Sequence, residues 1–190
     1  MSRLVVQNAR IVDPASGLDA MGSLEVDDGV IVSVSTGPAK RAPGGTTLLD
    51  AGGLVLAPGL IDMRVFTGEP GHEYRETLAS AGEAAAAGGV TSFLLMPDAL
   101  PVIDDGALVD FLIRRAKATA RVNVLPAAAI SRGLKGEEIT EFGLLKEAGA
   151  VCFSDGRQSI QSARLMRAAM SYAANFDMPV MHHLVDRDLT

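Results

Sequence analysis

Side chains capable of chemistry follow a series of apolar runs. Arg64, Phe66 and Glu69 lie in "GLIDMRVFTGEPG", Asp98 follows "SFLLMP", and Ser131 and Arg132 follow "PAAAI"; Ser154, Asp155 and Arg157 occupy "FSDGR", and His182, His183 and Asp186 occupy "MHHLVD". Asp155 at a strand end can present a carboxylate to a cation or act as a general base, and Asp-Gly is equally common turn chemistry ahead of a helix starting at Ser159. His182 and His183 are adjacent, so in a strand they point to opposite faces and only one can face an interior. One imidazole makes a poor divalent-metal site, since zinc takes three or four protein ligands. His72 follows a Pro-Gly turn and reads as a solvated loop residue. Cys152, inside a valine-rich run, reads as a buried, inert thiol. No Ser-His-Asp or Cys-His arrangement is evident.

The elements that must position these groups fall into two rhythms. Residues 1–57 read as short strands broken by turns, with Asp28-Gly29 between valine-rich runs as a hairpin signal. This predicts a small β-sandwich module. From residue 58 to 190 the pattern is strand then helix, repeated. Runs such as "GVTSFLLMP" and "GAVCFSD" have the continuous apolarity of strands buried on both faces. The helical segments between them are "YRETLASAGEAAAAGG", "DDGALVDFLIRRAKATA", "GEEITEFGLLKEAGA" and "SIQSARLMRAAMSYAANF". The second carries an Asp104 or Asp105 cap, and the third has acids in its first turn and Lys146 near its end.

Alternation of this kind predicts an α/β fold with a parallel sheet and right-handed crossovers. About five strands and four helices are present, whereas a closed eight-stranded barrel takes about 250 residues. Residues 58–190 therefore read as the first part of a TIM (β/α) barrel. The alternative, an open doubly wound sheet, lacks a glycine-rich phosphate loop after its first strand.

The chain has 190 residues, a formal net charge of −6 and 48% apolar residues. This is globular composition, and the acidic balance excludes a general nucleic-acid binder. One cysteine, no signal-peptide pattern and no apolar run near the roughly 20 residues that span a bilayer point to a cytoplasmic protein without membrane association.

The frame "GLIDMRVFTGEPGHEYRETLASAGEAAAAGGVTSFLLMPDALPVID" resembles the dihydroorotase branch of the amidohydrolase superfamily. That family's first barrel strand reads G-L-I-D-x-H-x-H-L-R-E-P-G, followed by E-x-K-E-T, an alanine-rich helix ending A-A-G-G-x-T, and M-P-N-T. Asp62, Glu69, Pro70, Gly71, Glu73, Glu76, Thr77 and Met96-Pro97 fit it. "ISRGLKGEEITEFGLLKEAGAVCFSDG" resembles the third and fourth units, and "MPVMHHLVDRDL" the fifth. The resemblance implies an amidohydrolase-type barrel, with the remaining histidine ligand and catalytic aspartate on strands beyond Thr190.

The departures fall on the chemistry. The metal-binding H-x-H pair is Arg64 and Phe66, the substrate-carboxylate arginine is Gly68, and the substrate-contacting asparagine is Asp98. Asp155 and His183 remain as metal candidates. A cation at contact distance from Arg64 would meet a repulsion of about 4 kcal/mol at an effective dielectric of 20, and Phe66 offers no lone pair. The resemblance thus implies a catalytically inactive dihydroorotase-like protein of pyrimidine biosynthesis, without cofactor, acting as a structural partner of aspartate carbamoyltransferase. The competing expectation is a working cyclic-amide hydrolase of dihydroorotase, hydantoinase or allantoinase type, with zinc held by Asp155, His183 and residues outside this chain. A third is a barrel fragment without ligand chemistry whose open sheet edges favour homo-oligomers.

Overall fold

The computed structural model describes residues 3–37, 44–186 and 188–189. The chain forms two compact units, Met1–Pro58 and Gly59–Thr190. Among the described residues no helix is long and apolar enough to cross a membrane.

The first unit is a five-stranded sheet of β1 (Arg3–Asp13), β2 (Leu18–Asp27), β3 (Val30–Thr36), β4 (Thr47–Asp50) and β5 (Val55–Leu56), ordered β3-β2-β1-β4 with β5 also paired to β1. Asp28 and Gly29 form the β2–β3 hairpin with φ of 45° and 81°, the two positive values a type I′ turn demands. Val6, Ala9, Ile11 and Ala51 make its small core.

The second unit is a parallel sheet of β6 (Leu60–Val65), β7 (Val90–Leu95), β8 (Asn123–Ala128), β9 (Cys152–Ser154) and β10 (Val180–Met181), with neighbours in chain order. It curls into half of a (β/α) barrel, with helices α1 (Leu78–Ala87), α2 (Gly106–Thr119), α3 (Phe142–Glu147) and α4 (Ala163–Ala174) in its crossovers. Both faces are packed at the C-terminal ends of β7 and β8 and along β9, whereas β6 is largely exposed. Phe93, Leu95, Ile130 and Phe153 meet the helices through Leu78, Leu112, Leu145 and Leu165. On the other face Leu94, Met96, Ala127 and Cys152 cluster with Phe66 and Met181. This two-sided burial is why these strands read as unbroken apolar runs. Within the helix-side core, Phe142 stacks on Phe153 at 3.8 Å and on Tyr172 at 5.0 Å between ring centroids.

Capping sets the helix starts. Thr77 and Ser80 form a reciprocal capping box on α1, and Asp105 caps α2 by accepting from the Ala107 N–H. Asp104 instead accepts from the Gly133 N–H at 2.8 Å, across to the loop after β8. Two helices start later than their sequence suggests. Glu137 and Glu138 precede α3 rather than forming its first turn, because Ile139 is bridged to Ser131 and the Thr140 hydroxyl donates to Ala129 O. Helix α4 begins after its Ser162 cap, whose side chain accepts the Leu165 N–H, not at Ser159; the preceding Ile160 N–H donates to His182.

Candidate functional site

The C-terminal ends of β6 to β10 bring Arg64, Phe66, Asp98, Asp155, Arg157, His182 and His183 to one region of the half-barrel, where such folds place their chemistry. Their contacts decide what they can do.

Asp155 is 1% exposed. Its Oδ1 accepts the N–H groups of Ile130 (2.8 Å) and Ser131 (2.9 Å), and its Oδ2 accepts the Ser131 hydroxyl at 2.5 Å. The same Ser131 oxygen accepts the Gly136 N–H. The Asp155–Gln158 backbone does close a turn, with Gln158 N–H donating to Asp155 O. The side chain, however, faces the protein and fastens the β8 loop to β9. Burial pushes its carboxyl above the usual carboxylate range, against the opposing pull of the Ser131 hydroxyl and the two N–H groups.

His182 accepts the Ile160 N–H on Nε2 at 3.0 Å, so in its neutral form the ring proton sits on Nδ1. Burial lowers its pKa, with the Asp155 charge opposing and His183 adding a smaller downward push. A histidine depressed in the folded state contributes stability above its unfolded pKa and loses it as pH falls through the folded one. Unfolding free energy should therefore decline on acidification below about pH 6.5. His182→Gln should flatten that decline, as read from urea denaturation at a series of pH values.

The second imidazole meets a cation. Arg64 Nη2 lies 3.5 Å from His183 Nδ1 and donates to Gly156 O at 3.4 Å. A guanidinium can only donate, so Nδ1 is the acceptor and the His183 lone pair points at Arg64. Phe66 holds two cations against its ring, with the guanidinium carbon of Arg64 5.4 Å and that of Arg157 4.8 Å from its centroid. Arg157 Nε also donates to Asp98 Oδ2 at 2.9 Å. Asp98 is thus an ion-pair partner inside the cluster.

The metal-ligand chemistry does not fit these residues. Among the described residues no three His, Cys, Asp or Glu side chains gather as a cation site. His182 Nε2 accepts a backbone N–H, His183 Nδ1 faces the Arg64 guanidinium, and the Asp155 oxygens accept two N–H groups and one hydroxyl. Gly68 is closed as well. A Cβ there would lie 2.0 Å from His72 O and 2.9 Å from Glu76 O, so this loop accepts no side chain at that position. His72 sits in the same loop, its ring edge-on to Tyr74. Burial pushes the Cys152 thiol up to about 12, which leaves it protonated and unreactive.

Sequence reasoning gathered the strand-end residues but not their pairing. It missed the Asp98–Arg157 ion pair, the role of Phe66 as a cation platform, and Arg115, which reaches Glu69 from α2. An aromatic beside arginines at neighbouring strand ends was the available signal for the platform; nothing local pointed to Arg115.

Comparison with known proteins places this arrangement. Residues 53–190 match the family model described as dihydro-orotase-like. The dihydroorotase of Geobacter metallireducens is 42% identical over 186 residues, covering 98% of this chain and 43% of the relative. That of Syntrophus aciditrophicus is 40% identical over 188 residues, covering 99% and 44%. The chain therefore spans less than half the length of these relatives. Among solved structures, the L-hydantoinase (dihydropyrimidinase) of Arthrobacter aurescens superposes with a TM-score of 0.80 at 21% identity, over 95% of this chain and 40% of that one. The D-hydantoinase from Thermus sp. gives 0.72 at 19% identity, over 98% and 41%. The half-barrel, its strand-end frame and the matched family model all agree, and the chain belongs to the dihydro-orotase-like family of the amidohydrolase superfamily.

Proposed function

We propose that this chain is a non-catalytic dihydroorotase-like protein of pyrimidine biosynthesis. The observation that carries the reading is Arg64, whose guanidinium stands beside His183 at the strand end where the family frame has a metal-binding histidine. A divalent ion there would face a fixed positive charge and a histidine whose lone pair is already engaged. The chemistry such an ion supplies, hydroxide at neutral pH and a polarised amide, has no equivalent among Arg64, Phe66, Arg157 and Asp98. With Gly68 in place of the carboxylate-holding arginine, the bidentate anchor for a substrate acid is missing as well.

On this reading the barrel frame serves association, and the proposed partner is aspartate carbamoyltransferase, on the strength of the family resemblance. The test combines metal content, turnover and capture. Protein purified without chelator and then offered zinc is expected to hold far less than one equivalent and to show no dihydroorotate ring closure or opening above background. It is expected to co-elute with the carbamoyltransferase of its own organism on size exclusion. The relatives named dihydroorotase favour a second reading, a zinc enzyme using His183 and Asp155. Stoichiometric zinc with turnover that His183→Ala abolishes would establish that reading and overturn ours.

A further inference from the structure

The polar groups at the barrel mouth are almost entirely donors. Arg64 and Arg157 bring two guanidiniums to one aromatic ring, both within 5.4 Å of the Phe66 centroid. His182 and His183 each spend their acceptor nitrogen on a protein N–H, which leaves His182 Nδ1 and His183 Nε2 as N–H donors. Of the acceptors, one Asp98 oxygen, Oδ1, is buried without a partner among the described residues, and the others are committed. Asp155 is buried under three donors from the β8 loop, and Asp98 Oδ2 is bound to the backbone and side chain of Arg157. Asp98 balances one guanidinium. Arg64 has no carboxylate within ion-pair distance among the described residues, and its side chain is solvent-accessible.

We propose that this mouth binds a small oxyanion, of the phosphate or carboxylate class, with Arg64 as its principal partner and Arg157 beside it. A guanidinium recognises either anion through paired N–H donors, and such charge-assisted bonds are the strong ones. Phe66 contributes through its cation–π contacts with both guanidiniums, which lower the cost of ordering two long side chains on binding. The site thereby has the opposite polarity to a metal centre: fixed cations receive a diffusible anion. The inference rests on the non-catalytic reading above, since a divalent ion at the same strand ends would displace the guanidinium.

The experiment is a titration of the ¹⁵N-labelled full chain with inorganic phosphate, and in parallel with acetate, at ionic strength held constant with sodium chloride. The side-chain Nε–H signals of Arg64 and Arg157 are expected to shift and saturate. Arg64→Ala should weaken binding about ten-fold or more, as loss of a charge-assisted pair implies, while Lys117→Ala on the exposed side of α2 leaves it unchanged. Arg64→Lys keeps the charge without the fork and should fall between, which also guards against misfolding of the alanine variant. Tighter phosphate binding identifies a tetrahedral anion as the ligand, and tighter acetate binding a carboxylate. Shifts that never saturate with either anion, or binding that survives in Arg64→Ala, would overturn the inference. Zinc-free protein that ignores both anions defeats this inference alone, whereas stoichiometric zinc defeats it together with the non-catalytic reading.

Discussion

Asp155→Ala is expected to lower the unfolding free energy by about 3–5 kcal/mol, a large share of the stability of a domain this size. Three donors converge on this carboxylate in a site closed to water, two of them backbone N–H groups that cannot turn elsewhere. Leaving a buried donor unsatisfied costs about 1–3 kcal/mol each, and the freed β8 loop also loses its tie to β9. Asp155→Asn separates charge from geometry. Its amide oxygen can still accept from Ile130 and Ser131, while its NH₂ faces a Ser131 oxygen that already accepts from Gly136. It should cost about 1–2 kcal/mol, closer to one imperfect hydrogen bond. Urea denaturation measures both, as a lower midpoint at an unchanged slope. A metal-ligand role for Asp155 makes a different forecast, with zinc lost and stability held. Wild-type stability in Asp155→Ala would show that the carboxylate does not fasten the loop.

Arg115→Ala should come next in size. Glu69 is 4% exposed, with one carboxylate oxygen 2.5 Å from Arg115 Nε and the other accepting the Leu78 N–H at 2.8 Å in the first turn of α1. The glutamate thus joins the loop after β6 to two helices, and its charge complements the α1 dipole. Removing Arg115 strands a buried carboxylate. Breaking a fully buried pair costs about 3–5 kcal/mol. Arg115 is itself 44% exposed, and solvent screening reduces the expected loss to about 2–3 kcal/mol. The Arg115→Ala/Glu69→Gln double variant should recover part of this, since a neutral amide can be left unpaired at lower cost. A double-mutant cycle on thermal unfolding isolates the coupling, and coupling within error of zero would mean that water replaces the pair.

The elements that the sequence makes legible are those whose signal is local. Asp28-Gly29 marks its hairpin because both residues take positive φ, and the runs ending at Leu95 and Ser154 announce strands packed on both faces. Thr77 and Asp105 cap their helices through contacts two or three residues away. Where a distant group competes for the backbone, local reading fails. Helix α4 starts at the Ser162 cap, while the Ile160 N–H before it reaches His182, 22 residues on. Ile139 pairs with Ser131, and the glutamates before it stay outside α3. The site divides along the same line. Period and strand ends gather Arg64, Asp98, Asp155 and His183, but whether Asp155 faces a ligand or the β8 loop depends on residues 24 and 25 positions away.

The aromatic residues carry a practical consequence. The sequence has no tryptophan, and its six phenylalanines and two tyrosines all fall after residue 58. Tyr74 is 79% exposed, whereas Tyr172 stacks on Phe142 within the helix-side core. Near-ultraviolet dichroism and tyrosine emission are therefore spectroscopic reporters of the half-barrel, dominated by one half-buried phenol, and they are blind to the β module. Optical melting followed at these wavelengths describes one unit; calorimetry, which registers heat from both, is the means of learning whether the two come apart together.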